Sequence, residues 1–227
     1  ETPAFTVNMM CGSGLQAIRL AAQAIQCGDA NVVLCGGVES MSNAPYLAPR
    51  VPQGLKLGDA TLVDSLLCDG LIDPFDRRHM GLQAEDLATR YSISRDEQDA
   101  WTLRSQQRYA HALADNVFGD EIVPTSGLDA DEHPRPQTTL ADLQRLKPAF
   151  TSDGTVTAGN ASGINDGAAL VLLTTQEIAK RHGWPILCTW VDSVAVGCEP
   201  KWMGLGPVDA LRRLTARQRI VLGDCDL

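Results

Sequence analysis

The sequence predicts an α/β fold interrupted by a helical insertion, and three observations carry that reading. Residues 1–45 run through an extended apolar segment, an amphipathic helix and a short buried strand. Residues 46–153 are more polar and read as helices. From 154 to 227 the Gly, Ala, Val and Leu of the opening return, again with short apolar strands.

Taken in order, Val7-Asn8-Met9-Met10 reads as the end of a strand, and a helix begins directly after Cys11-Gly12-Ser13-Gly14. Leu15, Ile18, Ala22 and Ile25 recur at helical spacing, and Gly28 is placed to cap the C-terminus. Asn31–Cys35 reads as a buried strand closed by Gly36-Gly37. Strand, helix, strand is a right-handed crossover, so a parallel sheet is expected, with Cys11 at the carboxyl end of a strand, where such sheets hold ligands.

Cys11 is the first candidate for chemistry. A thiol at a helix N-terminus meets the positive end of the macrodipole and unpaired backbone N–H groups, both of which favour thiolate. The glycines beside it allow a sharp turn and close ligand approach, as in a nucleophile elbow. A buried structural cysteine at the same turn is the alternative.

In the middle segment, Gly81–Tyr91 reads as one helix, and Ser94-Arg95-Asp96-Glu97 opens a longer one, reaching about Asp115, with a capping box. Trp101, Arg104, Ser105, Arg108 and Ala112 share a broad side of it. Leu140–Leu146 is a third short helix, capped by Thr139 with Asp142 in its first turn. The stretch from Gly154 to Leu173 then reads as strand, tight polar turn and apolar strand from Ala168 to Thr174. Its small residues admit a bulky ligand against the backbone, and Ser162 offers a hydroxyl. Asp209–Ile220 reads as a helix.

With 227 residues, 44% hydrophobic, the chain can bury a sizeable core. A net charge of -9 argues against general nucleic-acid binding, and an anionic small ligand would need a local basic patch. No apolar run approaches a membrane span and no signal peptide is seen, so a soluble cytoplasmic protein without a membrane partner is expected. The seven cysteines contain no Cys-x-x-Cys and the four histidines are scattered, which offers no ready metal site and suits reduced thiols. Both ends look cut, as in a fragment of a longer protein.

Several motifs, in order along nearly the whole chain, resemble the thiolases, the acyl-CoA acyltransferases that make or cleave 3-ketoacyl-CoA. They are Val7–Leu15, Gly-Gly-Val-Glu-Ser-Met-Ser at 36–42, His79-Met80-Gly81 with Ala84-Glu85, and Asp131–Arg135. Lys147-Pro148-Ala149-Phe150, Thr155–Ala169 and Met203-Gly204-Leu205-Gly206-Pro207 complete the set. The resemblance implies two related α/β halves stacked in layers with an inserted loop domain. Residues 1–45 would be the late part of the N-terminal half, 46–153 the loop domain and 154–227 the early part of the C-terminal half.

The resemblance also implies roles. Cys11 would take the acyl group, with its backbone N–H as an oxyanion donor. Leu71, His79 and Met80 would lie near the acyl and pantetheine groups, and Phe150, Ala158, Ser162, Gly163 and Met203 would wall the pantetheine tunnel. Arg135 would contact the adenine end of CoA, with Arg77, Arg78, Arg145 and Lys147 as further cations for its phosphates. Coenzyme A and acetyl-CoA would be substrates with no prosthetic group, and the assembly a homodimer or homotetramer. His79-Met80 favours acetoacetyl-CoA over long chains, although Arg77-Arg78 replaces the tyrosine expected there.

The family's Asn-Glu-Ala-Phe, Gly-His-Pro and second Cys-x-Gly motifs would lie beyond Leu227, so this chain alone is expected to be inactive. The stretch Pro124–Asp131 is also shorter than expected. A non-catalytic CoA or lipid binder on the same fold is the alternative function. A decarboxylating or condensing relative fits less well, because the motifs from His79 to Arg135 are those of the thiolase loop domain.

Overall fold

The computed structural model describes residues 2–49, 54, 57–125 and 127–225. Two features expected from the sequence fall partly outside them: the chain end at 223–227 and the segment 124–131, which contains Ser126.

Helix α1 (Ser13–Cys27) forms where the apolar spacing predicts it, and Gly28 ends it in the left-handed region at φ 79°. Ala21 and Ala22 are buried, whereas Leu15, expected on the inner face, is 77% exposed. The first turn rests on backbone instead. A Cβ added to Gly37 would stand 3.7 Å from Gly14 Cα, ordinary van der Waals contact, so β1 packs directly against the backbone of the first turn.

Strand β1 (Val32–Ser40) pairs with β4 (Asp166–Thr174) in register Val32↔Thr174, Cys35↔Val171 and Ser40↔Asp166. Three sequence-based expectations are corrected by this ribbon. The pairing is antiparallel rather than parallel, and residues 2–8 join no ladder among the described residues. The partner of β1 comes from the far side of the helical insertion, so the segment before α1 does not supply it. Nor do the glycines close the strand. A Cβ on Gly36 would lie 2.0 Å from the Ala169 carbonyl oxygen, so glycine is what lets the ladder continue. The face bearing Leu34, Val38, Leu170 and Leu172 is exposed.

A second antiparallel pair joins β2 (Tyr46–Leu47) to β3 (Val63–Asp64), and a π-helical segment follows at Leu66–Leu71. The chain divides into two compact units. Unit 1 is Glu1–Leu66, Asn165–Cys198 and Leu205–Leu227; unit 2 is Leu67–Ile164 and Glu199–Gly204.

Unit 1 continues through α5 (Gln176–His182), capped by Thr175, and α6 (Gly206–Gln218), which begins three residues before Asp209 because Pro207 suits a helix start. The Asp192 carboxylate accepts hydrogen bonds from Arg217 and Gln218 and so fixes the incoming chain to α6.

Unit 2 is built on α2 (Met80–Tyr91), α3 (Arg95–Ala114) and α4 (Leu140–Gln144). The expected capping box forms at Ser94 with Glu97, and the expected Thr139 cap proves to be a second box, closed by Asp142. Trp101 is exposed, with the Arg104 guanidinium 4.1 Å from its ring centre. Leu143, Val156 and Ala88 are buried, but the most deeply buried side chains are polar: Gln83, Asp99 and Thr157. Among the described residues no helix is long and apolar enough to cross a membrane.

Candidate active site

Cys11 sits in unit 1, one residue before the Gly12 N-cap of α1. The turn that presents it is made by Met10 at φ 51°, a left-handed conformation that a side chain as large as methionine rarely adopts. Ser13 locks the turn: its hydroxyl donates to the Met10 carbonyl at 2.6 Å and accepts from the Met9 N–H at 2.8 Å. The Asn8 side chain accepts from the Met10 N–H at 2.9 Å. Cys11 is exposed, and its thiol is free. Its own N–H and those of Gly14 and Leu15 carry no hydrogen bond among the described residues, which leaves donors for an anion beside the sulfur.

At the end of the β1–β4 ribbon, Asp166 joins two of the sequence motifs. It accepts from the Ser42 hydroxyl at 2.5 Å, the Ser42 N–H at 2.8 Å and the Ser40 hydroxyl at 3.3 Å. The Ser42 side chain and backbone donors, with Ser40, hold its carboxyl below the usual aspartate range.

In unit 2, α2 is the spine to which most of the expected substrate residues attach. His79 is its N-cap. Nδ1 accepts from the Gly81 N–H at 3.0 Å, which places the ring proton of the neutral imidazole on Nε2. The Phe150 ring lies 4.8 Å from His79, tilted by 31°. It also fills the space a side chain at 81 would need, because a Cβ on Gly81 would stand 2.2 Å from Phe150 Cζ. Ile72 bridges His79 and brings Leu71 to the same end of the helix, where Met80 is the first helical residue. Further along, Gly204 packs on Leu87, which sets Met203 beside α2.

Ala158 and Ser162 are exposed and Gly163 is half-buried, on a loop seated over α4; a Cβ on Gly159 would stand 2.5 Å from Leu146 and 2.8 Å from Leu143. Arg135 lies apart from this group, on the α3 side. Its N–H donates to Gln106 at 2.8 Å, and its guanidinium folds onto the carbonyls of residues 132–134.

The expected cations are not equally free. Arg78 grips Asp86 with both terminal nitrogens, and Arg145 pairs with Asp142, so these two are already spent. Arg77 and Lys147 form no ion pair among the described residues. Position alone in the sequence could not distinguish them.

A hairpin built on carboxylates delivers His79 to the helix. Asp73 accepts from the Phe75 N–H at 2.7 Å and the Gln83 amide at 2.7 Å, and Asp76 accepts from the Arg78 N–H at 2.9 Å. The Phe75 backbone donor, with Gln83, pulls the Asp73 carboxyl below its ordinary range, and the Arg78 guanidinium does the same to Asp86. Both groups therefore bind protons less tightly when folded than when unfolded. Their contribution is complete above the ordinary aspartate value of about 3.9 and is lost as pH falls through the lower folded values. Thermal unfolding measured from about pH 7 to about pH 3 is expected to show that loss, with a shallower acid limb in Asp86→Asn. Identical acid limbs in the two proteins would contradict the assignment.

Sequence reading passed over the groups that hold the 154–163 loop. Glu85 accepts from the backbone of Thr155 and Val156, and Asn160 joins Asp99, Thr155 and Thr157. The available signals were the Ala84-Glu85 motif and the Arg95/Asp99 helical spacing, neither of which states a role.

Comparison with known proteins adds family information. Residues 1–177 match the family described as "Thiolase, N-terminal domain". An acetyl-CoA acetyltransferase of Pseudomonas aeruginosa is 48% identical over 234 residues, covering 99% of this chain and 60% of that protein. A probable acetyl-CoA acetyltransferase of Escherichia coli is 46% identical, covering 99% and 59%. Among solved structures, human mitochondrial 3-ketoacyl-CoA thiolase in complex with CoA superposes with a TM-score of 0.94 at 46% identity, covering 100% of this chain and 58% of that one. The chain thus spans about 60% of the length of the curated relatives it matches.

Proposed function

The chain belongs to the thiolase family and has its α/β fold, and from that premise we propose that the protein is a CoA-dependent acyltransferase using Cys11 as its acyl carrier. The reaction forms or cleaves 3-ketoacyl-CoA, with acetoacetyl-CoA the preferred substrate. One observation carries the reading: an exposed thiol on a strained turn, beside backbone N–H groups without a partner among the described residues.

The Cys11 thiolate adds to the thioester carbonyl of an acyl-CoA, and the carbonyl electron pair moves onto oxygen. Backbone donors, the Cys11 N–H among them, receive that oxyanion. Collapse breaks the bond to the CoA sulfur, which leaves as thiolate and takes up a proton. In synthesis, a general base takes the α-proton of acetyl-CoA, and the resulting carbanion attacks the acyl carbon and releases Cys11 as thiolate. Cleavage is the reverse, with CoA sulfur attacking the acyl-enzyme. The thioester itself stabilises the carbanion, so the scheme uses no prosthetic group.

For the substrate, we assign Leu71, His79, Met80 and Phe150 to the acyl and pantetheine end. Ala158, Ser162, Gly163 and Met203 line the pantetheine arm, and Arg135 meets the adenine end. The contact of Phe150 with His79 and the seat of Met203 beside α2 support the grouping. The names of relatives as acetyl-CoA acetyltransferases support the short-chain preference. A homodimer or homotetramer acting on fatty-acyl carbon in the cytoplasm belongs to the same reading.

The test, on the full-length protein, is intact mass after brief exposure to acetyl-CoA, followed by peptide mapping, then turnover of acetoacetyl-CoA against a long-chain 3-ketoacyl-CoA. One acetyl group on Cys11 is expected. CoA binding without any adduct would instead identify the non-catalytic binder, and turnover of the long chain alone would overturn the short-chain preference.

A further inference from the structure

We propose that Glu85 is a positioning residue for the acyl-CoA wall, fixing the loop at 154–163 against the helix that carries His79 and Met80. The inference rests on the assignment of Ala158, Ser162 and Gly163 to the pantetheine arm.

Glu85 lies on α2, one turn after Gly81, and is half-buried. Its Oε1 accepts from the Val156 N–H at 2.8 Å and the Thr155 N–H at 3.0 Å. Its Oε2 accepts from the same Thr155 N–H at 2.9 Å and from the Thr155 hydroxyl at 3.0 Å. Three donors thus converge on one carboxylate. The Thr155 hydroxyl in turn accepts from the Gln98 amide at 2.9 Å, so the clamp reaches α3 as well.

Approach from the loop side is equally tight. A Cβ on Gly154 would stand 2.3 Å from Glu85 Oε1, so the loop backbone has closed on the carboxylate as far as glycine permits. Val156 and Thr157, directly beyond the clamp, are buried, whereas Ala158 and Ser162 emerge to solvent. Glu85 therefore decides where the exposed part of the loop leaves unit 2. Since His79, Met80 and Phe150 belong to the same helix end, it also sets the spacing between two parts of one wall. The geometry gives Glu85 no proton to move. Its task is distance.

The choice of carboxylate follows from counting acceptors. Glutamine has one acceptor oxygen where glutamate has two, and its NH2 would face N–H donors. Loss of charge-assisted hydrogen bonds of this kind corresponds to about tenfold in an equilibrium constant.

The experiment compares the wild type with Glu85→Gln, using CoA as the probe and hydrogen exchange read by mass spectrometry. In the wild type, CoA is expected to slow exchange in peptides covering 158–163. In Glu85→Gln, exchange at 155–156 should quicken without CoA, CoA affinity should fall about tenfold, and exchange around Asp99 should stay as in the wild type. Acetylation of Cys11 by p-nitrophenyl acetate, a small ester that needs no pantetheine wall, should be unchanged. Wild-type CoA affinity in Glu85→Gln, or a slowed reaction with the small ester, would overturn the proposal while leaving the pantetheine assignment standing. Absence of CoA protection at 158–163 in the wild type would overturn the assignment itself. Should Glu85→Gln fail to fold, Gly154→Ala disturbs the clamp from the opposite side; unchanged CoA affinity there would refute the positioning role.

Discussion

Cys11→Ala in the full-length protein is expected to abolish acyl capture and to lower 3-ketoacyl-CoA turnover by about 10⁴-fold or more, the scale on which removing an enzyme nucleophile acts. Little else should change. The Cys11 side chain is exposed and makes no hydrogen bond among the described residues, while the turn that presents it is held by Ser13 and Asn8 rather than by the thiol. Stability should remain within about 0.5 kcal/mol, as for surface substitutions away from special contacts. Chemistry and folding are therefore separable at this position. Cys11→Ser sharpens the test, because a hydroxyl keeps the shape but has to be activated by a base before it can attack. Intact mass after exposure to acetyl-CoA, thermal unfolding and turnover of acetoacetyl-CoA provide the three readings. An acetyl adduct retained at full yield in Cys11→Ala would remove Cys11 as the acyl carrier.

Local signals were legible because they act through neighbours in the sequence. Gly28 had to end α1, and Ser94 with Glu97 and Thr139 with Asp142 had to start α3 and α4, since each satisfies backbone groups three or four residues away. The direction of the sheet was not legible. A strand, a helix and a second apolar run fit a parallel crossover, but the partner of β1 is β4, from beyond the helical insertion. Gly36-Gly37 misled for a related reason: glycine ends a strand when it turns, yet here its missing side chain admits the Ala169 carbonyl and the strand runs on.

Site residues divide in the same way. The motif containing His79, Met80 and Gly81 identified one end of α2, and the structure adds why glycine stands third, under the Phe150 ring. What no pattern foretold was which cations are free. Arg78 and Arg145 differ from Arg77 and Lys147 only in what the fold sets beside them.

Asp99→Ala is the substitution expected to cost most in stability. Asp99 is fully buried, receives the Arg95 Nε at 2.7 Å and accepts from the Asn160 side chain at 3.1 Å. Truncation would leave Arg95, itself mostly buried, without its counter-charge, although Nη2 would still reach the carbonyls of Leu143 and Leu146. Removing one partner of a buried pair costs about 3–5 kcal/mol, or roughly 10 °C in melting temperature for a chain of this size. The damage should spread to the loop. Asn160 also donates to the Thr155 carbonyl and accepts from the Thr157 N–H, so its release would loosen residues 155–160 and weaken CoA binding together with stability. That joint loss distinguishes Asp99 from Glu85, for which binding should fall while the surrounding helices keep their protection. Replacing both members, Arg95→Leu with Asp99→Leu, tests the cause, since two apolar side chains leave no orphaned charge and should recover much of the lost stability. A double variant no more stable than Asp99→Ala would show that the cost comes from lost packing rather than from an unpaired guanidinium.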